Sequence, residues 1–250
     1  MHILIKTPAE IEAMRRGGKI LAQVLQTVAA AVKPGVTPKE LSQLAGEEVA
    51  HRGATAAFLG HQGFPDPICI AVNDVVVHGI PGNEPLVEGD IIGLDFGVRL
   101  DKMVTDGAIT VAVGKVDQRA QQLLTVTERA LTAGIAEARP GNRVGDISAA
   151  IEAVLRQGGL GVIEDLVGHG VGRDLWEEPQ IPNHGRAHTG PRLTPGMTIA
   201  IEPMATLGRH EITIDAEDGW TIRTADRSLA AQFEHTVLIT EGEPEILTLP

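Results

Sequence analysis

The chain has 250 residues, 43% hydrophobic and 22% charged, enough to bury a large core as one domain or two fused halves. Its 33 acids against 21 bases leave a net charge of −12, which disfavours broad electrostatic binding to nucleic acid or an anionic membrane. A single cysteine, Cys69, excludes an intramolecular disulfide framework and suits a reducing compartment.

Residues 1–8 hold too short an apolar run for a signal peptide. Thr7-Pro8-Ala9-Glu10 supplies an N-cap hydroxyl, a proline at the first helical position and a glutamate at the third. The helix that follows places Ile11, Met14, Leu21, Leu25, Val28 and Val32 roughly on one face, until Pro34-Gly35 stops it. Gln23, Gln26 and Thr27 break its apolar stretch, so it does not span a membrane. With no targeting signal, a soluble cytoplasmic protein is the expectation. A second helix opens at Thr37-Pro38-Lys39-Glu40 and runs through Leu41, Leu44, Ala45 and Val49 to Gly53.

Strands are predicted over 67–78, 91–99 and 103–113, where Val, Ile and Thr concentrate between glycines and prolines. The helix pair then returns, 106 positions further on. Val32-Lys33-Pro34-Gly35 is echoed by Ala138-Arg139-Pro140-Gly141, Leu41 by Ile147, Val49 by Leu155 and Gly53 by Gly159. Segments 11–31 and 117–137 both read as amphipathic helices. Such a unit is too long for a solenoid repeat and suggests two related halves, about 1–114 and 115–250, within one domain over 1–250. Strands over 197–203, 211–215, 221–224 and 230–240 complete the second half. The pattern predicts an α+β fold, with helices covering one side of a largely antiparallel sheet.

Six polar residues stand in apolar or glycine-rich stretches: His78, Asp95, Asp106, His169, Glu202 and Glu234. Buried carboxylates are very costly unless paired or bound to metal. Four carboxylates and one neutral imidazole carry a formal charge of −4, which two divalent cations cancel. Strands flanking a turn near Leu100-Asp101 place Asp95 opposite Asp106, since paired positions then sum to 201. A bulge, or an aspartate facing solvent or capping a turn, is the other arrangement the spacing allows. A lone loop histidine or strand glutamate more often faces water, but His169, Glu202 and Glu234 belong to longer signatures.

Those signatures occur in order: Val77-His78-Gly79-Ile80-Pro81, the Asp95 and Asp106 pair, Gly168-His169-Gly170-Val171-Gly172, Glu178-Pro179, Ile201-Glu202-Pro203-Met204, and 226–236 ending in Gln232-Phe233-Glu234-His235-Thr236. Together they resemble a type I methionine aminopeptidase over almost the whole chain. The resemblance implies the pita-bread fold, whose two halves are related by a pseudo-twofold axis. It implies that Asp95, Asp106, His169, Glu202 and Glu234 are ligands to two divalent metals, with Asp106 and Glu234 bridging. Manganese, iron(II), cobalt and zinc all suit such a donor set. A water between two dications loses a proton easily and becomes the nucleophile. One metal then holds the free amino terminus and the other polarises the scissile carbonyl. Glu202 would shuttle a proton, and His78 would bond the departing amide nitrogen.

The chain departs from the family pattern around the substrate. Trp176 stands where the family usually has histidine; its indole N–H either replaces part of the oxyanion contact or fills space. His61 and Gln62 stand where tyrosine and histidine are usual, and Leu175 replaces an aromatic. The methionine pocket would draw on His61, Phe64, Cys69, Leu175 and Trp220. His61 is also a candidate to supply the imidazole missing at position 176.

The expected activity is removal of the initiator methionine from nascent chains with a small second residue. A weakened paralogue that binds peptides or proteins, and a proline-specific aminopeptidase or dipeptidase, are the alternatives. The expected partners are peptide or nascent-chain substrates and a transient ribosome contact, for a monomer that binds neither membrane nor specific nucleic acid. Because His2 is bulky, such an enzyme leaves its own Met1 in place.

Overall fold

The computed structural model describes residues 3–250; the Met1-His2 expectation lies outside them. Among the described residues there are four α-helices: α1 (Pro8–Ala31), α2 (Pro38–His51), α3 (Gln118–Ala136) and α4 (Val144–Gln157). Thr7 with Glu10, and Thr37 with Glu40, close the predicted capping boxes on α1 and α2. Asp117 caps α3 by accepting the Ala120 N–H at 2.8 Å. A shift of 106 carries α2 onto α4 residue for residue. The turns agree too: Gly35 and Gly141 have φ of 91° and 94°, Gly53 and Gly159 both 73°. Left-handed φ makes glycine the residue of choice at these four turns, which is why the repeat was readable there.

The first half contributes strands β1 (Thr55–Ala56), β2 (Cys69–Val72), β3 (Val75–Val77), β4 (Ile91–Leu100) and β5 (Met103–Ala112). After α4 come β6 (Gly161–Val162), β7 (Val167–Gly170), β8 (Glu177–Pro182), β9 (Thr198–Ile201) and β10 (Met204–Thr206). They are followed by β11 (Ile212–Ile214), β12 (Ile222–Thr224), β13 (Ala230–Gln232), β14 (Glu234–Leu238) and β15 (Glu245–Ile246). The main sheet runs β1-β4-β5-β14-β9-β7-β8, with β2 also on β4 and β15 on β14, and every pairing is antiparallel. First-half and second-half strands meet at its centre, where β5 pairs with β14.

Three strand expectations are corrected. The 67–78 run breaks into β2 and β3 at Asn73, whose φ is 55°. The 230–240 run breaks at Phe233, and β13 leaves to pair with β10 in a smaller sheet. The β4–β5 hairpin turns at Asp101-Lys102, both at positive φ (49° and 70°), as a two-residue hairpin turn of type I′ requires. Asp95 therefore pairs with Ala108 and Asp106 with Gly97, so the two aspartates are diagonal neighbours rather than directly opposed. They still share a face, because the register moved by two residues, the period of the pleat.

That pleat positions the site. Ile92, Leu94, Phe96 and Val98 of β4 pack with Leu21, Val24 and Leu41 of α1 and α2. Ile199, Ile201 and Val237 of β9 and β14 pack with Leu123, Ile147 and Ile151 of α3 and α4. The helices thus claim one face of the sheet. Asp95, Asp106, Glu234 and His169 occupy alternate positions and project from the other, as their registers with Ala108, Gly97 and Ala200 require.

Candidate metal centre

Each acid of the cluster is held at the middle of the sheet. Asp106 is fixed by reciprocal bonds with Thr236: its N–H donates to the Thr236 hydroxyl at 2.9 Å, and that hydroxyl donates back to its carbonyl at 2.8 Å. Glu202 follows β9 directly; its carbonyl accepts from Asn183 and its carboxylate from Gln232, both at 3.1 Å. Glu234 opens β14 beside Ala108. His169 Nδ1 lies 2.8 Å from the Gly170 carbonyl, so the proton belongs on Nδ1 and the Nε2 lone pair faces the acids. Nε2 is 3.6 Å from Glu202 and 3.9 Å from Asp106. Ligand atoms of Asp106, His169 and Glu234 all lie within 4.8 Å of one another.

The protein itself offers the cluster no basic counter-charge. Among the described residues no lysine or arginine pairs with Asp95, Asp106, Glu202 or Glu234. Asp95 Oδ1 and Glu234 Oε1 are buried with no hydrogen-bond partner. Burial pushes the Asp106 carboxyl up to about 7. Burial first, then repulsion from neighbouring acids, pushes Asp95, Glu202 and Glu234 well above the carboxylate range. Burial also depresses His169 to about 4, leaving its imidazole neutral and free to ligate. Orphaned carboxylate oxygens beside an inward-facing imidazole lone pair fit divalent cations, which supply the missing charge.

Beside the cluster opens a cavity of about 480 Å³. Its lining brings together all seven residues expected around the substrate: His61, Phe64, Cys69, His78, Leu175, Trp176 and Trp220. Phe64 and Trp220 meet edge to face at 5.3 Å, and His61 and Trp176 at 4.8 Å. Trp176 also stands 6.2 Å from His78 and 6.5 Å from His169, at 41% exposure, so it forms the rim between pocket and cluster. His61 Nε2 is buried there without a partner. His78 follows β3 at φ 56°, and burial depresses it to about 4.

Several lining residues were missed from the sequence, notably Phe58, Gln180 and Met204. Gln232, which orients Glu202, lies in the 226–236 segment, where a lone amide in an apolar run is the signal for it. Gln180 could have been found by pairing β8 with β7, where it sits opposite His169. Phe58 carried no such signal.

Residues 12–241 match the model of metallopeptidase family M24. The methionine aminopeptidase of Clostridium perfringens is 44% identical over 248 residues, covering 99% of both chains. The crystal structure of a Thermotoga maritima methionine aminopeptidase is 44% identical, covers 100% of both chains and superposes with a TM-score of 0.97. A Pyrococcus furiosus prolidase reaches a TM-score of 0.78 at 21% identity, with 65% of its chain covered, which shows the shared fold alone. The chain belongs to metallopeptidase family M24, and within it to the methionine aminopeptidases. The fold is accordingly the pita-bread fold, and the bound group is divalent metal.

Proposed function

We propose that this protein removes the N-terminal methionine from chains whose second residue is small, with residues 1–250 forming one catalytic domain of two related halves. The observation that carries this reading is an unneutralised cluster of four buried carboxylates at the edge of an apolar, sulfur-tolerant pocket. In it, Asp95, Asp106, His169, Glu202 and Glu234 would hold two divalent ions. Bound divalent ions supply Lewis acidity toward the scissile carbonyl and lower the pKa of water to about neutrality.

The protein's own residues do the rest. Glu202, oriented by Gln232, takes and returns a proton. His78, neutral at pH 7, donates to the nitrogen of the breaking amide. Phe64, Cys69, Leu175 and Trp220 enclose the methionine side chain, while His61 and Trp176 close the rim. Free amino termini of nascent chains are the substrates, met in the cytoplasm by a monomer in transient contact with the ribosome.

The test titrates metal-free protein with manganese, iron(II), cobalt or zinc against Met-Ala-Ser, Leu-Ala-Ser and Xaa-Pro peptides. Release of methionine alone is expected; preferred cleavage before proline rejects the assignment. Inactivity with every metal, reversed by Trp176→His, identifies an attenuated site instead. Trp176→Phe keeps an aromatic, though smaller, ring and removes the N–H. Its kcat is expected to fall at least about tenfold with little change in KM, the signature of a donor that acts on the oxyanion. An unchanged kcat assigns the ring to packing.

A further inference from the structure

Among the described residues one ion pair away from the carboxylate cluster has both side chains almost fully buried. It joins Lys6, 1% exposed, to Glu177, 3% exposed. Lys6 sits in the extended segment before α1, anchored by its N–H to the Gly196 carbonyl at 2.9 Å. Glu177 opens β8, next to Trp176. One oxygen of Glu177 takes Lys6, and the other accepts the backbone N–H groups of Arg173 and Asp174 at 2.6 and 3.1 Å.

A second tie runs parallel to the first. Arg173 forks onto Glu10 in the first turn of α1, at 2.6 and 3.0 Å. Gly172 packs so closely on the Lys6 stem that a methyl group there would overlap it. The N-terminal segment thus straps the turn 172–177, and that turn carries Leu175 and Trp176 into the catalytic cavity. A buried ion pair contributes little to stability compared with apolar residues of the same volume. What this one contributes is a fixed carboxylate, around which the turn is wound.

We infer that Lys6 is a positioning residue for substrate selection: by holding Glu177 against the 173–174 backbone, it fixes the turn that presents Leu175 and Trp176 to the substrate's first side chain. The inference rests on the aminopeptidase reading for its substrate and on the turn's hydrogen bonds for its mechanism. Losing Lys6 leaves Glu177 buried and unpaired, so the carboxylate seeks water and pulls the pocket wall with it.

The test compares the parent with Lys6→Met, Lys6→Arg and the double variant Lys6→Met/Glu177→Gln, each loaded with metal. Selectivity for Met-Ala-Ser over Leu-Ala-Ser is expected to fall about fivefold or more in Lys6→Met. Lys6→Arg keeps the charge but needs more room, so it is expected to lower the ratio as well, and it carries the test if Lys6→Met does not fold. In the double variant the glutamine still accepts the two N–H bonds and no charge is stranded, so the ratio is expected to return to within about twofold of the parent. In a Trp220→Phe background, Trp176 is the one fluorophore of its kind, and Lys6→Met should red-shift its emission. A lowered Tm with unchanged selectivity and unchanged Trp176 emission overturns the inference. If the parent cleaves neither peptide, the aminopeptidase reading fails, and the emission of Trp176 still decides whether Lys6 sets the turn.

Discussion

Glu234→Gln is expected to lower kcat/KM by about 10³ or more, while making the metal-free protein more stable. Glu234 is 2% exposed and one of its oxygens has no partner, so nothing in the protein answers its charge. If it bridges the metals, its loss removes several kcal/mol of charge stabilisation, and each 1.36 kcal/mol is a factor of ten in rate. In the metal-free protein ionising the same group is penalised, first by its burial and then by repulsion from Asp106, Glu202 and Asp95. Calorimetry of both proteins, with and without manganese, checks the reversal: the parent gains more from metal, and the variant wins without it.

The acidity of the cluster sets the pH dependence of that comparison. Asp106 is raised to about 7 in the folded protein, against about 3.9 in an unfolded chain. A carboxyl raised by folding stabilises the native state below its unfolded pKa, and that contribution is lost as pH climbs through the folded value. Metal-free protein is therefore expected to lose on the order of 5 °C of Tm between pH 5 and 8. Saturating metal should flatten the slope, since it favours the ionised acids.

Gly168→Ala is expected to cost about 3 kcal/mol or more and to weaken metal binding along with it. Gly168 lies on β7, between β9 and β8, and a methyl there would overlap the Ala200 carbonyl oxygen. It would also meet Ile181 at 3.2 Å and Glu202 at 3.3 Å. The obstacle is backbone of the neighbouring strand, which cannot rotate away, so the sheet must part beside His169 and Glu202. Gly82→Ala serves as the control. Nothing lies within 4 Å of its added carbon, and stability should hold within about 0.5 kcal/mol. Urea melts and metal titrations of both variants measure the difference.

How far the sequence could be read depended on whether the signal was local. The four helices were legible because caps, glycine stops and a 3.6-residue apolar stripe act within a few residues. The carboxylates were legible because a charge in an apolar strand has few explanations. The register of Asp95 and Asp106 was not, since it hinged on which two of four turn residues accept positive φ. Strands β7 and β8 went unread because glycine and proline fill them, and their membership comes from partners distant in sequence. The tie from Lys6 to Glu177 spans 171 positions, and a lysine before a helix cap reads as an ordinary surface residue.

The seam between the halves has a consequence for how cations are taken up. About that seam, Asp106 on β5 mirrors Glu234 on β14, and Asp95 on β4 mirrors Glu202 at the end of β9. The imidazole has no mirror image: where β7 offers His169 beside β9, β2 offers Cys69 beside β4. Were two ions bound there, one seat would carry a nitrogen donor and the other oxygen donors alone. Occupancy should consequently proceed in two stages of unequal strength, with the seat next to His169 filling first.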